Sequence, residues 1–297
     1  MRVGAVSQLW RYPVKSMQGE RIAEAALDER GIPGDRCWAV RDEARGGIAS
    51  ARRLGALLDC TAVYPEAPKP GAPPVEILLP GGTVVRSTDP DVAAHLSRAV
   101  GAPVTLWPLQ PAEDEAHYLP GQALPGDARM GVRDLFGLEA DEAVPDLSGL
   151  PPALWRFVTP PGTYWDAFPV LVLSETTLAT LQQITPESRF DVRRFRPNVL
   201  LALDSAAGFP EQEWVGRRLR VGDAVLEVVV GCPRCVMTTR PFADLPADRA
   251  VLRTIVREAG QNAGVYARVV QPGKVAEHDP AEIFDVDEGT NPGADLL

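Results

Sequence analysis

Short apolar stretches separated by turn-forming residues dominate the first hundred positions of the chain. Stretches of this length, bounded by glycine- and proline-rich turns, are typical of β-strands rather than of helices. The segment 64–74 holds five prolines and interrupts the series as a loop. We therefore predict strands at residues 3–12, 21–27, 37–41, 75–79 and 83–86.

Apolar residues at helical spacing occur later in the chain, next to residues that begin or end helices. Asp91 precedes one such run, which Gly101 ends, and Ser174 precedes another as a capping residue would. These patterns predict helices at about 91–100, 130–136, 174–183 and 246–260, and further strands at 170–173, 198–203, 225–230 and 265–270. Strands joined by long helices and loops favour a mixed β-barrel architecture over a doubly wound sheet.

The balance of charges excludes one class of function and marks one end of the chain. The 297 residues carry 30 basic and 40 acidic side chains, a formal net charge of −10. A net charge of this sign argues against a nucleic-acid binder, which is normally basic. Residues 277–297 contain seven acids and no Lys or Arg, so we predict an acidic tail there.

The sequence shows no membrane segment and no export signal. The apolar run at 168–173 is too short to span a bilayer, and Glu227 interrupts the run at 224–230. The first ten residues lack the hydrophobic core of a signal peptide. Four cysteines in a chain of this length do not indicate a disulfide scaffold. We therefore predict a cytoplasmic protein without membrane contact.

Several common catalytic motifs are missing from the sequence. It contains no G-x-G-x-x-G fingerprint for a dinucleotide and no G-x-x-x-x-G-K-[ST] loop for a nucleotide phosphate. It also lacks the G-x-S-x-G turn of α/β-hydrolases, and only three histidines are present as candidate bases. The chemistry of the protein must therefore lie in other residues.

A Cys-x-x-Cys motif at 232–235 directly follows a predicted strand, and spacing alone leaves several interpretations open. A thioredoxin-like dithiol begins a helix, but the residues after Cys235 do not begin one. A structural zinc site needs four ligands, and Cys37, Cys60 and His278 form no second pair. One cysteine could instead bind a metal beside a larger cofactor, or both could be buried side chains without chemistry.

Three other short segments place cationic side chains at turns or strand ends. Lys15 follows the first predicted strand, and Arg36 ends a tight turn that begins with Gly31. Arg196 precedes Pro197, where any helix must end, so it lies at a loop-to-strand junction where ligand contacts are common. Taken singly, each segment is equally consistent with a turn or a solvated surface.

Together these segments form an ordered set along the chain: Pro-Val-Lys-Ser, Gly-x-x-Gly-Asp-Arg, Phe-Arg-Pro-Asn and Cys-x-Arg-Cys-x-x-Thr-Thr. The set resembles the MOSC family, named for the C-terminal domain of molybdenum cofactor sulfurase, with its associated N-terminal β-barrel domain. Within that family it is most similar to the amidoxime-reducing component and to bacterial relatives that reduce N-hydroxylated bases. The resemblance covers residues 1–100 and about 165–275.

The resemblance implies a fold and a division into domains. The fold would be mixed α+β and mainly β, with a MOSC β-barrel packed against a smaller N-terminal β-rich domain. The N-terminal β-barrel-like domain would span 1–105 and the MOSC domain 166–276. The resemblance does not cover the middle of the chain or the acidic tail. The composition there predicts an irregular connecting or lid segment at 106–165 and the tail at 277–297.

The resemblance also implies a molybdenum–molybdopterin cofactor, whose metal is held by the pterin dithiolene and by the thiolate of Cys235. Cys232 would then either pack in the interior or support the ligating residues from behind. The cofactor-binding residues implied by family matches are Lys15, Ser16, Arg36, Glu175, Thr176, Thr177, Arg196, Asn198, Arg234 and Tyr266. Lysine and arginine side chains in this set are suited to the terminal phosphate of the pterin.

The implied activity is the molybdenum-dependent reduction of small N-hydroxylated compounds, in which N–OH becomes N–H and water is released. The sequence has no fingerprint for a flavin, a nicotinamide or a four-cysteine iron–sulfur cluster. The electrons would therefore come from a separate flavoprotein or ferredoxin-type protein. The alternative is a module that carries the molybdenum cofactor, or sulfur on Cys235, without turnover.

Overall fold

The computed structural model describes residues 1–124 and 131–285. The strands of this part are β1 (Arg2–Arg11), β2 (Glu20–Ile22), β3 (Glu24–Leu27), β4 (Trp38–Asp42), β5 (Gly47–Ile48), β6 (Thr61–Val63), β7 (Glu76–Leu78), β8 (Val84–Arg86), β9 (Val104–Pro108), β10 (Val170–Ser174), β11 (Val199–Leu203), β12 (Arg218–Val221), β13 (Ala224–Pro233), β14 (Asn262–Gln271), β15 (Gly273–Ala276) and β16 (Pro280–Phe284). Its α-helices are α1 (Val92–Val100), α2 (Glu115–Tyr118), α3 (Val132–Phe136), α4 (Glu175–Ile184), α5 (Val192–Phe195) and α6 (Arg249–Glu258). Short 3-10 helices lie at Gly55–Asp59, Pro152–Trp155, Pro210–Trp214 and Val236–Thr239.

A closed β-barrel forms the largest sheet of the described residues. Its seven strands run in the order β11, β10, β14, β13, β12, β16 and β1, and β1 pairs back to β11. Strands β10 and β11 pair in parallel, whereas β1 is antiparallel to both of its barrel neighbours. Closure leaves no free edge in the ring, which protects its backbone groups from pairing with other chains.

The barrel interior is an apolar core to which each strand contributes alternate residues. Val6, Val172, Leu201, Leu226 and Ile283 belong to this core and are fully buried. Helices α4 and α6 pack outside the barrel around a separate apolar cluster. Because its strands are held on both sides, the barrel is a rigid support for the loops at its ends.

A second apolar core lies among the smaller sheets of the first hundred residues. These sheets have the orders β5-β4-β9 and β6-β7-β8, and helix α1 packs against them. Leu57, Ile77 and Leu96 are central to this core. Phe242 and Leu245 also belong to it, although they come from the segment between β13 and α6. The two halves of the chain therefore share a packed boundary.

The predicted fold class, mixed α+β and mainly β with a barrel, is confirmed. The predicted cap of α4 is confirmed too, because Ser174 Oγ accepts the backbone N–H of Thr177 at 3.0 Å. The strand predicted at 21–27 is divided into two, since β2 pairs with β1 whereas β3 pairs with β15. The chain changes partner at Ala23, and an apolar pattern carries no signal for such a change.

The prediction of an acidic tail from Glu277 onward is wrong for β16, which completes the barrel. Ala281 and Ile283 are buried in the core, whereas Glu282 alternates with them on the outer face. The acids of this segment face outward, so its composition indicated a tail although it forms a short strand with alternating burial. Residues 286–297 of the predicted tail lie outside the described residues, as does the start of the helix predicted at 130–136, whose remainder forms α3.

Candidate functional site

Three of the predicted cofactor-binding residues have a backbone conformation that side chains rarely adopt. Ser16, Arg36 and Arg196 have φ angles of 68°, 49° and 57°, in the left-handed region that favours glycine. Ser16 lies beyond the end of β1, Arg36 precedes β4, and Arg196 ends α5 before β11. Strained conformations of this kind persist where the surrounding structure imposes them, and they cluster at functional sites.

Two of these side chains lie against one buried aromatic ring. The guanidinium carbons of Arg36 and Arg196 lie 5.2 and 4.2 Å from the centre of the Tyr12 ring. The Tyr12 hydroxyl donates to the backbone carbonyl of Pro197 at 3.1 Å, and its backbone N–H donates to Asp35 at 2.7 Å. Burial raises the pKa of Tyr12 well above its ordinary value, so the ring stays neutral beneath two cations.

Arg196 is a buried cation whose hydrogen bonding is met mainly by backbone. Its side chain donates to the carbonyl of Met17, and the residue is 6% exposed. Arg234 resembles it, with hydrogen bonds to the carbonyls of Phe195 at 2.8 Å and Ala263 at 2.7 Å. Burial lowers the pKa of Arg196 to about 10, so the group is still charged at neutral pH. Such a charge is stabilised by an anion.

Lys15 and Arg52 flank the carboxylate of Asp166. Lys15 Nζ lies 2.7 Å from Asp166 Oδ1, and Arg52 approaches the same oxygen at 4.0 Å. Desolvation alone would raise the pKa of Asp166, but the charges of Lys15 and Arg52 outweigh it and hold the pKa far below its ordinary value. Burial lowers the pKa of Lys15, against the opposing effect of Asp166. Asp166 is therefore ionised, and its side chain remains 39% exposed.

The two cysteines of the motif have different surroundings. Cys232 is 1% exposed at the end of β13, and burial raises the pKa of its thiol. Cys235 is half-buried, and its side chain is hydrogen-bonded to Arg52, whose pKa it helps to raise against the effect of burial. Tyr266 interacts with Cys232, and burial raises its pKa well above the ordinary value. Cys235 is thus the more accessible sulfur and has a cation beside it.

Two adjoining cavities meet at these residues. The inner cavity, of about 60 Å³, is lined by five arginines and one carboxylate among the described residues: Arg36, Arg52, Arg194, Arg196, Arg234 and Asp166. The outer cavity, of about 470 Å³, lies between residues 42–54 and residues 131–158. Both cavities share Arg52, Asp166, Pro233, Cys235 and Tyr266. Cys235 and Asp166 therefore lie where a small cationic space opens into a larger one.

The structure brings most of the predicted site residues together. Those that line the inner cavity are Arg36, Arg196, Asn198, Arg234, Cys235 and Tyr266. Lys15 does not line the cavity itself, but its Nζ donates a hydrogen bond to Asp166, which does. The hydroxyl of Ser16 accepts a hydrogen bond from the backbone N–H of Ala51, the residue before Arg52. Asn198 is held by the N–H of Leu171 and the carbonyl of Trp10. The side chain of Asn198 thus links β10 to β1 beside the cavity.

The structure does not bring Glu175, Thr176 and Thr177 to either cavity. Glu211, from the 3-10 helix Pro210–Trp214, lies against the first turn of α4 and accepts hydrogen bonds from Ser174 Oγ at 2.7 Å and from Thr177 Oγ1 at 2.8 Å. The hydroxyls of Ser174 and Thr177 are therefore used within the protein. Their role as cofactor ligands stays a prediction, and no contact supports it.

Sequence reasoning missed Asp166, Arg52 and Tyr12 as members of the site. Asp166 marked only the start of the predicted MOSC domain, Tyr12 directly precedes the Pro-Val-Lys-Ser segment without belonging to it, and Arg52 lies in no motif. Only tertiary contacts bring them together. The described residues contain no cluster of three or more His, Cys, Asp and Glu side chains that could hold a metal. A metal at Cys235 would therefore need further ligands from an organic cofactor.

Family comparisons agree with this architecture. Residues 3–79 match the model of the MOSC N-terminal beta barrel domain, and residues 160–282 match that of the MOSC domain. The chain is therefore a MOSC-domain protein with a MOSC N-terminal beta barrel domain, and the resemblance inferred from the motifs is confirmed. No helix in the part of the chain that the structure describes has the length and apolarity needed to cross a membrane.

Among curated proteins, the chain is similar to mitochondrial amidoxime-reducing components. It is 27% identical to component 2 of Rattus norvegicus over 250 residues, and this matched region covers 80% of this chain and 67% of that protein. It is 27% identical over 257 residues to component 1 of Homo sapiens, with 80% and 66% coverage. The chain thus spans about two thirds of the length of these relatives. Among solved structures, the YUAD protein from Bacillus subtilis is 12% identical, with a TM-score of 0.44 over 97% of this chain and 98% of that one.

Proposed function

We propose that this protein is a molybdenum cofactor-dependent oxidoreductase that reduces N-hydroxylated compounds to the corresponding N–H compounds and water. The observation that carries the proposal is the convergence of Arg36, Arg196 and Arg234 on one buried cavity beside Cys235. These residues come from three distant segments, and nothing local requires them to meet. The similar amidoxime-reducing components supply the class of reaction.

The inner cavity has the chemistry that an anionic cofactor end requires. Its five arginines outnumber the one carboxylate in its lining, and Arg196 and Arg234 donate to backbone carbonyls rather than to acids. An excess of buried positive charge is stabilised by an anion, and guanidinium groups suit a phosphate. The volume of about 60 Å³ accommodates such a group rather than a whole pterin, and the residues shared with the outer cavity connect it to larger space.

Cys235 has the chemistry that a metal ligand requires. Its sulfur is half-buried and lines both cavities, and the side chain of Arg52 is hydrogen-bonded to it. A thiolate is a soft donor of the kind that binds molybdenum together with dithiolene sulfurs. With the cofactor held by Cys235 and the cavity arginines, molybdenum would supply the two-electron chemistry of N–OH reduction. The arginines of the inner cavity and the sulfur of Cys235 therefore fit an anionic cofactor that carries molybdenum.

The remaining residues at the junction orient and shield the reacting groups. Asp166 stays ionised and holds Lys15 in place, so it acts as an acceptor rather than as a source of protons. Burial holds the pKa of Tyr266 well above its ordinary value, so Tyr266 keeps its proton and interacts with Cys232 in the lining of the inner cavity. With a substrate bound, the apolar side chains of the outer cavity would limit the access of water to the junction.

The electrons would come from a separate flavoprotein or ferredoxin-type protein, because the sequence carries no dinucleotide fingerprint. The test uses protein made in a host that synthesises the molybdenum cofactor. We expect it to reduce benzamidoxime or a hydroxylaminopurine with reduced viologen dye, but not with NADH or NADPH alone. Addition of a flavoprotein reductase should restore turnover with the nicotinamide.

Two results would contradict the proposal. NADH-driven reduction by the isolated chain would show that it holds an electron-transfer cofactor of its own. Bound molybdenum without any reduction by the dye would favour a carrier of cofactor or sulfur. In that case a persulfide on Cys235 should be visible by mass spectrometry.

A further inference from the structure

The outer cavity has two chemically different walls. Residues 131–158 contribute nine side chains to its lining, all of them apolar or aromatic: Val132, Leu135, Phe136, Leu147, Leu150, Leu154, Trp155, Phe157 and Val158. The wall from residues 42–54 is mixed. It includes the apolar Ile48, Ala49 and Leu54, but it also carries the charged groups of the cavity that come from this half, Asp42, Arg45, Arg52 and Arg53. A ligand that satisfies both walls needs an apolar face and a polar end.

The apolar wall is fixed to the barrel half of the molecule. Arg253 on α6 donates to the carbonyl of Gly137 at 3.0 Å and to the carboxylate of Glu142 at 2.7 Å. Gln261 donates to the carbonyl of Phe136 at 3.0 Å. A Cβ added to Gly149 would lie 2.8 Å from the side chain of Val230, so the backbone is pressed against β13 there. The wall is therefore a built part of the cavity.

Two large apolar side chains of this wall are exposed to solvent. Trp155 is 69% exposed and Val132 45% exposed, and both belong to the lining of the outer cavity. Exposed apolar side chains that continue into a cavity are typical of a ligand site rather than of a surface that only faces water. The volume of about 470 Å³ is within the range of about 300–1,000 Å³ for small-molecule sites.

We propose that the segment 131–158 selects substrates with a flat apolar body, whose polar N-hydroxylated end reaches Cys235 and Asp166. This inference rests on the proposed function for the identity of the polar end. Leu150 and Leu154 are specificity-determining residues, since both line the outer cavity and remain half-buried. Small N-hydroxylated compounds without an apolar body fill only the polar end and bind weakly.

The test measures binding without turnover. Calorimetric titration of the cofactor-loaded protein, with no electron donor present, compares benzamidoxime with acetamidoxime. We expect benzamidoxime to bind on the order of 10- to 100-fold more tightly, as for other added apolar groups in apolar pockets. Its binding should also show the more negative heat-capacity change, which marks apolar burial.

Variants locate the preference in the wall. Leu150→Ser and Leu154→Ser should each reduce the ratio of the two dissociation constants by several-fold. Leu138→Ser is the matched control, because Leu138 lies in the same segment and is half-buried but does not line the cavity. It should leave the ratio unchanged.

The outcomes separate this inference from the proposed function. Equal affinity for the two compounds, or equal loss of the preference in Leu138→Ser, would overturn the apolar-wall assignment even if both compounds were reduced. A clear preference for benzamidoxime that depends on Leu150 and Leu154 would support the assignment. If such a protein failed to reduce benzamidoxime with the dye, the proposed function would be refuted and the apolar site would stand.

Discussion

Replacement of Arg196 by methionine should separate cofactor binding from stability. Burial lowers the pKa of Arg196 from 12.5 to about 10, and each pKa unit corresponds to about 1.36 kcal/mol. Keeping this side chain charged inside the cofactor-free protein therefore costs about 3 kcal/mol. Its hydrogen bond to Met17 contributes about 1 kcal/mol, and its contact with the Tyr12 ring about 1–2 kcal/mol. These contributions nearly cancel.

We therefore expect Arg196→Met to change the free energy of unfolding of the cofactor-free protein by no more than about 1 kcal/mol. The same variant should retain molybdenum poorly. A charge-assisted hydrogen bond to an anion contributes about 1.5–3 kcal/mol, which corresponds to about 10- to 150-fold in affinity. Urea unfolding of protein made without cofactor measures the first quantity. Mass-spectrometric metal analysis of protein made with cofactor measures the second.

Arg194→Met is the matched control, because Arg194 is also buried beside the inner cavity. Its side chain donates to four backbone carbonyls, of Arg189, Thr238, Arg240 and Pro246, at 2.8–3.1 Å. Loss of four such bonds, at about 1 kcal/mol each, should destabilise the cofactor-free protein by about 4 kcal/mol. If Arg196→Met were as destabilising as Arg194→Met, or kept its full molybdenum content, Arg196 would be a structural residue and the reasoning would fail.

Three further predictions concern the same site. Cys235→Ser should abolish dye-driven reduction because a hydroxyl is a harder and less acidic ligand, whereas Cys232→Ser should keep much of it; equal loss in both would favour a dithiol. Asp166→Asn should lower stability at neutral pH by leaving buried Lys15 without its carboxylate. Because the folded-state pKa of Asp166 is depressed, this difference from wild type should persist down to about pH 4 and shrink only below it; a loss already between pH 7 and 5 would exclude Asp166 as its source. Glu175→Ala should leave the molybdenum content unchanged, and a reduced content would return the start of α4 to the site.

Features that depend only on neighbouring residues, such as helix caps and helix-ending prolines, could be predicted from the sequence. Ser174 could be predicted as a cap because its hydrogen bond to Thr177 spans one helical turn. Arg196 could be placed at a junction because a helix must end before Pro197. The strand β16 was missed because its buried alternation is only two apolar residues long within an acidic run. A barrel strand so short is recognised only by its partners.

The composition of the site depended on contacts that no spacing encodes. Asp166 pairs with Lys15 across 151 positions, and Arg52 joins them from a third segment. Glu175, Thr176 and Thr177 were predicted from the family resemblance at this helix start, yet Glu211 meets Thr177 from outside the helix. Motif matching therefore pointed to Arg36, Arg196, Arg234 and Cys235, whereas Arg52 and Asp166 were found only in the fold.

X-ray absorption at the molybdenum edge tests the central claim most directly, because it counts the sulfur atoms bound to the metal. Wild-type protein and Cys235→Ser, each loaded with cofactor, would be measured in the same oxidation state, with Cys232→Ser as the control. The account predicts one sulfur ligand fewer in Cys235→Ser than in wild type and no change in Cys232→Ser. An unchanged sulfur count in Cys235→Ser would show that this thiol does not bind the metal and would contradict the account.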